Sequence, residues 1–145
     1  MINSRPLIRW MSRTHVRLYR ATGGWIGGRV GRAEVLLLTT VGRSSGQPRT
    51  TPLIFCRDHD SLAVCASNAG DEAQPKWWQN LQADQNATVE LGSQKMRVRA
   101  RVATAEEQQA LWRLMVGIYP PYAQYQQRTR RKLVIVVLTP REGVT

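Results

Sequence analysis

The chain has 145 residues, enough for one domain with one ordinary core, and its 42% hydrophobic and 21% charged residues are those of a water-soluble globular protein. No window approaches the ~20 unbroken apolar residues that a membrane-spanning helix needs. The net charge of +11 arises from 18 Arg and 3 Lys against 10 acids. Guanidinium groups suit forked hydrogen bonds to phosphate and carboxylate, so an anionic partner is expected: a phosphorylated cofactor, anionic lipid or nucleic acid. Cys56 and Cys65 lie in strand-like runs with no secretory leader ahead of them, which points to reduced thiols in the cytoplasm, with a cross-hairpin disulfide as the alternative. No Cys or His cluster has metal-ligand spacing, and no metal is expected.

The first 33 residues hold seven arginines and no acid. Arg5, Arg9, Arg13 and Arg17 recur every fourth residue and Arg20 follows, placing them on one side of a helix, with Leu7, Ile8, Met11, Leu18 and Tyr19 on the other. Such a helix either lies over the core with its charged face in water or sits on an anionic membrane surface. The glycines of GGWIGGRVG (23–31) end it and make a flexible connection. They do not fit a G-x-G-x-x-G dinucleotide turn. The chain therefore divides into a basic arm with its linker (1–32) and a main domain (33–145).

In the main domain, residues 34–41, 50–57 and 62–67 read as strands, the last two joined by the turn DHDS. Residues 71–82 read as a short helix opened by acids and a proline. Strands 87–91 and 95–102 flank Gly92-Ser93, and the second alternates Met96, Val98, Ala100 and Val102 with arginines. Thr104 and Glu107 form a capping-box pattern ahead of a helix through LWRLMVGIY, and LVIVVL (133–138) is a final buried strand. Six strands in hairpin order with helices between them predict an α+β fold: an antiparallel barrel or sheet with helices outside.

Three polar or aromatic clusters stand out. The loop GRSSGQPRTTP is either an ordinary connector or an anion cradle built on Arg43, Ser44, Ser45 and Arg49; it lacks the P-loop pattern. The segment ASNAG (66–70) is either a strand-ending turn or a second part of the same rim. Tyr119, Tyr122 and Tyr125, spaced by three beside Pro120 and Pro121, are either core packing or an aromatic wall over a flat ring.

Taken in order, LLTTVGRSSGQPRTTPL, VCASNAG with PKWWQNL, LWRLMVGIYPPYAQYQ and LVIVVL resemble the deazaflavin-dependent nitroreductase and quinone reductase family of split β-barrel oxidoreductases. The resemblance spans nearly the whole chain, including the start LIRWMSR. It implies a six-stranded split barrel that binds the 8-hydroxy-5-deazaflavin coenzyme F420 and passes hydride from its reduced C5 to a quinone or nitroaromatic acceptor. Position by position, it implies that Arg43, Ser44, Ser45 and Arg49 hold the phosphate and glutamate tail, and that Thr51, Pro52 and Ile54 border the deazaflavin. Ala66, Ser67 and Asn68 contact the ring system, and Lys76, Trp77 and Asn80 close over the cofactor. Tyr119, Tyr122 and Tyr125 wall the acceptor side, with Ser67 and Tyr122 hydrogen-bonding the substrate.

Three positions depart from the family pattern. Ser44 stands where many members carry Lys, which removes one charge from the tail site, a contact of about 1 kcal/mol when partly exposed. Thr51 stands where some nitroimidazole-reducing members have Asn, and Val134 replaces a frequent proline. The alternative functions are an FMN-using split barrel and a non-catalytic basic module binding membrane or nucleic acid. Nucleic acid is disfavoured by the absence of a helix-turn-helix, zinc-finger or RNP-type motif. The expected location is the cytoplasm, with attachment to the inner membrane face as an option, and the expected state is monomer or homodimer.

Overall fold

The structure is a computed structural model describing residues 5–141, with side chains from residue 13 onward. Helix α1 (Arg5–Thr22) leads into a two-residue strand β1 (Arg29–Val30), followed by β2 (Ala33–Val41), β3 (Pro48–Asp58) and β4 (Ser61–Cys65). Helix α2 (Lys76–Ala83) precedes the hairpin β5 (Asn86–Leu91) and β6 (Gln94–Val102), and α3 (Ala105–Ile118) and α4 (Pro121–Arg128) precede β7 (Ile135–Pro140). Neighbours run β2-β3-β4-β7-β6-β5, and β5 pairs back onto β2 at Leu38↔Val89, so six antiparallel strands close into a barrel. The short β1 extends the edge of β2. This resolves the choice between barrel and open sheet, and closure removes the unpaired edges an open sheet would expose.

The run 133–138 is continuously apolar because it is covered on both faces. Val136 and Leu138 point into the barrel with Leu36, Leu38, Phe55, Val64 and Val89, whereas Ile135 and Val137 meet Leu111 and Met115 of α3. Pairing of β7 begins two residues later than expected because the buried Gln108 occupies the start of the run. Its amide donates to Leu133 O at 3.1 Å and accepts from Ile135 N at 2.9 Å, imitating a strand partner. The capping box of α3 is present: Glu107 N donates to Thr104 Oγ1, and Thr104 N donates to Glu107 Oε1 at 2.9 Å.

The helix expected over 71–82 begins only at Lys76. Pro75 is extended (ψ 146°), and residues 68–73 form a tight polar turn in which the Asn68 amide donates to Ala73 O and Ala73 N donates to the Asp71 carboxylate. These local bonds compete with helix formation.

Helix α1 is fastened to the barrel. Val16 and Tyr19 are buried against Leu37, the Tyr19 hydroxyl accepts from Gly92 N at 2.8 Å, and Arg20 grips the Glu90 carboxylate at 2.9 to 3.3 Å. Gly23 ends α1 in the left-handed region (φ 62°). The glycine run does more than connect: a Cβ at Gly24 would lie 2.9 Å from Gly92 Cα, so the run lies tight against the β5–β6 turn. Side chains of Arg5, Leu7, Ile8, Arg9 and Met11 fall outside the described residues. Among the described residues no helix is long and apolar enough to cross a membrane.

Candidate active site

Two cavities of opposite chemistry flank α1. The first, about 840 Å³, is walled by Arg43, Ser44, Ser45 and Arg49 of the β2–β3 loop, Thr51 of β3, Lys76, Trp77 and Asn80 of α2, and Arg13, Arg17 and Arg20 of α1. Among the described residues, six cations line it and no carboxylate does. The second, about 680 Å³, is walled by Pro52, Leu53, Ile54, Cys65 and Ser67, by Tyr119, Tyr122 and Tyr125, and by Thr14, His15 and Leu18 of α1. Along β3, Thr50 and Thr51 line the first cavity and Pro52, Leu53 and Ile54 line the second, so the surroundings of the strand change from basic to apolar between Thr51 and Pro52.

The β2–β3 loop is built to hold its shape. Gly46 N donates to Gly42 O and Gly42 N to Gln47 O, both at 2.8 Å, while Gln47 N donates to Ser45 Oγ at 3.2 Å. A Cβ at Gly42 would lie 2.6 Å from Ser45 Oγ and 3.2 Å from Gln47 O, so a side chain there would turn the Ser45 hydroxyl and press on the loop backbone. Asn80, 4% exposed, ties this loop to α2. Its Oδ1 accepts from both Arg43 N and Arg43 Nη1 at 3.2 Å, and its Nδ2 donates to Thr40 Oγ1 at 3.1 Å. Asn80 thus positions Arg43.

The tyrosine wall comes from the break between α3 and α4. Tyr119 ends α3, Pro121 starts α4, and Tyr122 meets Tyr119 and Tyr125 edge to face while those two are tilted to each other, with centroids 5.0 to 6.3 Å apart. Tyr119 and Tyr125 share a 3.2 Å hydroxyl contact. The Tyr122 hydroxyl has no protein partner among the described residues yet is not sealed from the surface, so it opens onto the cavity. Burial pushes the Tyr122 phenol well above its ordinary range, and burial with the Tyr119 hydrogen bond pushes Tyr125 up to about 12. Both are neutral donors at physiological pH. Burial likewise raises the Cys56 thiol to about 11 and Cys65 to about 12, so these free cysteines are protonated and inert as nucleophiles.

Not every predicted position joins these cavities. Ala66 is buried in the barrel core, and Asn68, with its amide spent on Ala73 O, lines neither cavity. Several lining residues escaped the sequence reading. Arg13, Arg17 and Arg20, read as a face turned to water or lipid, turn to the basic cavity, and a helical wheel could not say what that face meets. His15, bonded to Gly27 O, lines the apolar cavity. Arg131 donates to Asp71 O, Ala66 O and Ser67 O at 2.8 to 3.0 Å and so shapes the turn below the tyrosines. Nothing in the run RTRRK distinguishes it from its neighbours.

The donor sets suit one ligand type and one partner: a flat ring with a phosphate and a carboxylate tail in the first cavity, and a flat apolar molecule in the second. Six antiparallel strands closed into a barrel with helices outside it make the fold an α+β split barrel. Residues 10–140 match the F420H(2)-dependent quinone reductase family, and the chain belongs to it. It is therefore an oxidoreductase with coenzyme F420 as cofactor and a quinone as acceptor. This sets aside the FMN and non-catalytic alternatives. The chain is similar to an F420H(2)-dependent quinone reductase of Mycobacterium tuberculosis strain H37Rv, 37% identical over an alignment of 133 residues, with 89% of each chain covered. Among solved structures, an F420-H2 dependent reductase (FDR-A) is 34% identical with a TM-score of 0.66, covering 72% of this chain and 92% of its own. A structure described as a domain-swapped dimer is 31% identical with a TM-score of 0.69, covering 94% and 99%.

Proposed function

We propose that the phosphate and carboxylate tail of the coenzyme lie in the basic cavity, held by Arg43, Ser44, Ser45, Arg49 and Lys76, and that the acceptor lies in the apolar cavity under Tyr119, Tyr122 and Tyr125. The observation that carries this reading is the change of lining between Thr51 and Pro52, from six cations without an acid to an apolar chamber with three phenols. When bound, the reduced deazaflavin supplies a hydride from C5. Asn80 presents Arg43 to the anionic end, and Trp77 walls the same cavity. Tyr122 donates a hydrogen bond to the acceptor oxygen on which negative charge develops, aided by Ser67, and Tyr119 and Tyr125 orient the ring and exclude water. A flat nitroaromatic meets the same walls and is a second acceptor class.

Titrating the protein with F420 and, in parallel, FMN while following tryptophan fluorescence tests the reading. Trp77 is expected to be quenched saturably by F420 in preference to FMN. Equal or absent quenching would refute the placement.

Attachment to a membrane finds support in a different feature from the arginine stripe. Trp25 is 90% exposed, and Ile26, Val30 and Leu18 are exposed beside it, with Leu18 and Val30 at the apolar cavity itself. A lipophilic quinone would pass from the bilayer through that mouth. Co-sedimentation of Trp25→Ser with anionic vesicles is expected to fall several-fold, and unchanged sedimentation would discard the attachment. The neighbour described as a domain-swapped dimer supports a homodimer, which light scattering reads directly.

A further inference from the structure

Beside the three phenols, the apolar cavity holds an imidazole to which no role has been given. His15 of α1 lines it, half-buried, next to Thr14 and Leu18. The ring is fixed in one state. Its Nε2 is hydrogen-bonded to Gly27 O, and a carbonyl only accepts, so Nε2 carries the hydrogen. Gly27 has φ 83°, and a Cβ there would lie 2.5 Å from His15 Cδ2 and 2.7 Å from Nε2, so the missing side chain is what lets the ring approach. Nδ1 is the nitrogen left for a ligand, and it has no protein partner among the described residues.

Reduction of a quinone to a hydroquinone consumes one hydride and one proton, and the proton needs a source at the cavity. A phenol gives up its proton only around pH 10 even in water. Burial pushes Tyr122 and Tyr125 higher, and the Cys65 thiol up to about 12, so these groups donate hydrogen bonds and keep their protons. Among the described residues no carboxylate, lysine or arginine lines this cavity. Arg13, Arg17 and Arg20 of α1 and Arg49 of β3 line the basic cavity instead. Arg29, Glu34, Arg57 and Asp58 of β1 to β3 line neither, and Arg128 lies over the Tyr125 ring. Imidazole is the side chain that exchanges a proton near neutral pH.

We propose that His15 is a further catalytic residue, the general acid that protonates the reduced quinone from Nδ1. This rests on placing the acceptor in the apolar cavity. A quinone carries two oxygens at opposite ends of its ring, and α1 and α4 reach the cavity as separate elements, so one oxygen accepts from Tyr122 and the other from His15. The quinone gains the hydrogen and electron pair of the hydride and becomes a hydroquinone anion, while the coenzyme is oxidised by the same two electrons. The Nδ1–H bond then breaks, its electron pair stays on nitrogen, and the proton goes to the anionic oxygen. Nε2–H stays on Gly27 O throughout, so the imidazole returns as one tautomer and regains its proton from water at its exposed side. The proton that the coenzyme sheds on oxidation goes to water, which closes the balance.

The test joins a spectroscopic and a kinetic reading. The chain has two histidines, and His59 in the β3–β4 turn, with 96% of its side chain exposed, is the internal reference. Tetramethyl-p-benzoquinone, which has no free ring carbon for a thiol to attack, is added to isotope-labelled protein without coenzyme and followed by NMR. The His15 imidazole and the tyrosine rings of the cavity are expected to shift while His59 does not. If the tyrosines shift and His15 does not, the imidazole is not at the acceptor and the proposal fails. If none shifts, the placement of the acceptor falls first and this inference with it. His15→Gln keeps a neutral donor for Gly27 O but cannot exchange a proton, so kcat with this quinone should fall roughly a hundredfold while quinone KM and F420 Kd change little. The charged imidazole is the active form, so wild-type turnover should be lost as pH rises through neutrality and the residual turnover of His15→Gln should not follow that profile. A variant that keeps wild-type turnover, or keeps the wild-type pH profile at a lower rate, removes His15 from proton transfer.

Discussion

Asn80→Ala separates the positioning of the anion site from its charge. The substitution removes three hydrogen bonds at once: Arg43 N and Nη1 lose their shared acceptor, and Thr40 Oγ1, 1% exposed, loses a donor. Arg43 is exposed and can turn to water, so the stability cost falls mainly on the buried Thr40 hydroxyl and the emptied volume, about 2 kcal/mol. For a domain of this size that lowers Tm by about 8 °C. The coenzyme must then order a loose arginine and its loop on binding, at about 1–2 kcal/mol, so affinity drops roughly tenfold. Asn80→Asp is the companion variant. It keeps an acceptor for Arg43 N–H but places a carboxylate in a cavity lined by none, so affinity should fall further than in Asn80→Ala. Differential scanning calorimetry and fluorescence titration with F420 read the two effects. An Asn80→Asp protein that binds F420 as tightly as wild type would refute the account of both the residue and the cavity.

Tyr122→Phe should lower kcat with a quinone roughly tenfold to a hundredfold while F420 affinity stays within about twofold, because the hydroxyl opens on the acceptor cavity alone; steady-state kinetics with unchanged turnover would remove Tyr122 from the mechanism. Gly70→Ala should move the tyrosine wall. Gly70 has φ 79° and an added Cβ would lie 2.7 Å from Tyr125 O, so quinone KM should rise and Tm fall while the F420 Kd holds. The Arg101 hydrogen bond, helped by Thr104 N–H, holds the Glu107 carboxyl down to about 2 from an ordinary 4.5. A depressed carboxylate stabilises the fold above its ordinary range and loses that contribution as pH falls. The Tm gap between wild type and Glu107→Gln should therefore narrow from pH about 4.5 towards about 2, and a gap independent of pH would contradict the pairing.

The barrel was legible because its signals are local. Alternation in 95–102, the unbroken run at 133–138 and the Thr104/Glu107 box each depend on neighbours in sequence, and each formed with small shifts. The shift at β7 came from Gln108, 25 residues upstream of Leu133, and no local pattern announces such a bond. The same holds for the site. Loop glycines and the tyrosine spacing mark Arg43, Ser45 and Tyr122, because turn geometry and helical period are written in the chain. Whether an arginine faces a cavity, a carbonyl cluster or water depends on what lies across from it. Arg13 and Arg131 therefore looked like any other of the 18 arginines.

The division of labour along β3 carries a consequence that the variants above expose jointly. The basic cavity is held by α1, the β2–β3 loop and α2, and the apolar cavity by α4 and the turn that Arg131 ties to β4. Among the described residues and apart from β3, α1 alone contributes side chains to both, with Arg13 and Arg17 on one side and His15 and Leu18 on the other. Disturbing Asn80 should therefore move coenzyme affinity and spare acceptor KM, and disturbing Gly70 should do the reverse. Releasing α1 should move both. Tyr19→Phe, which leaves Gly92 N–H without its acceptor, is the mild way to release it: a fall in F420 affinity together with a rise in quinone KM marks α1 as the shared wall, whereas a change confined to one parameter assigns the helix to that half alone.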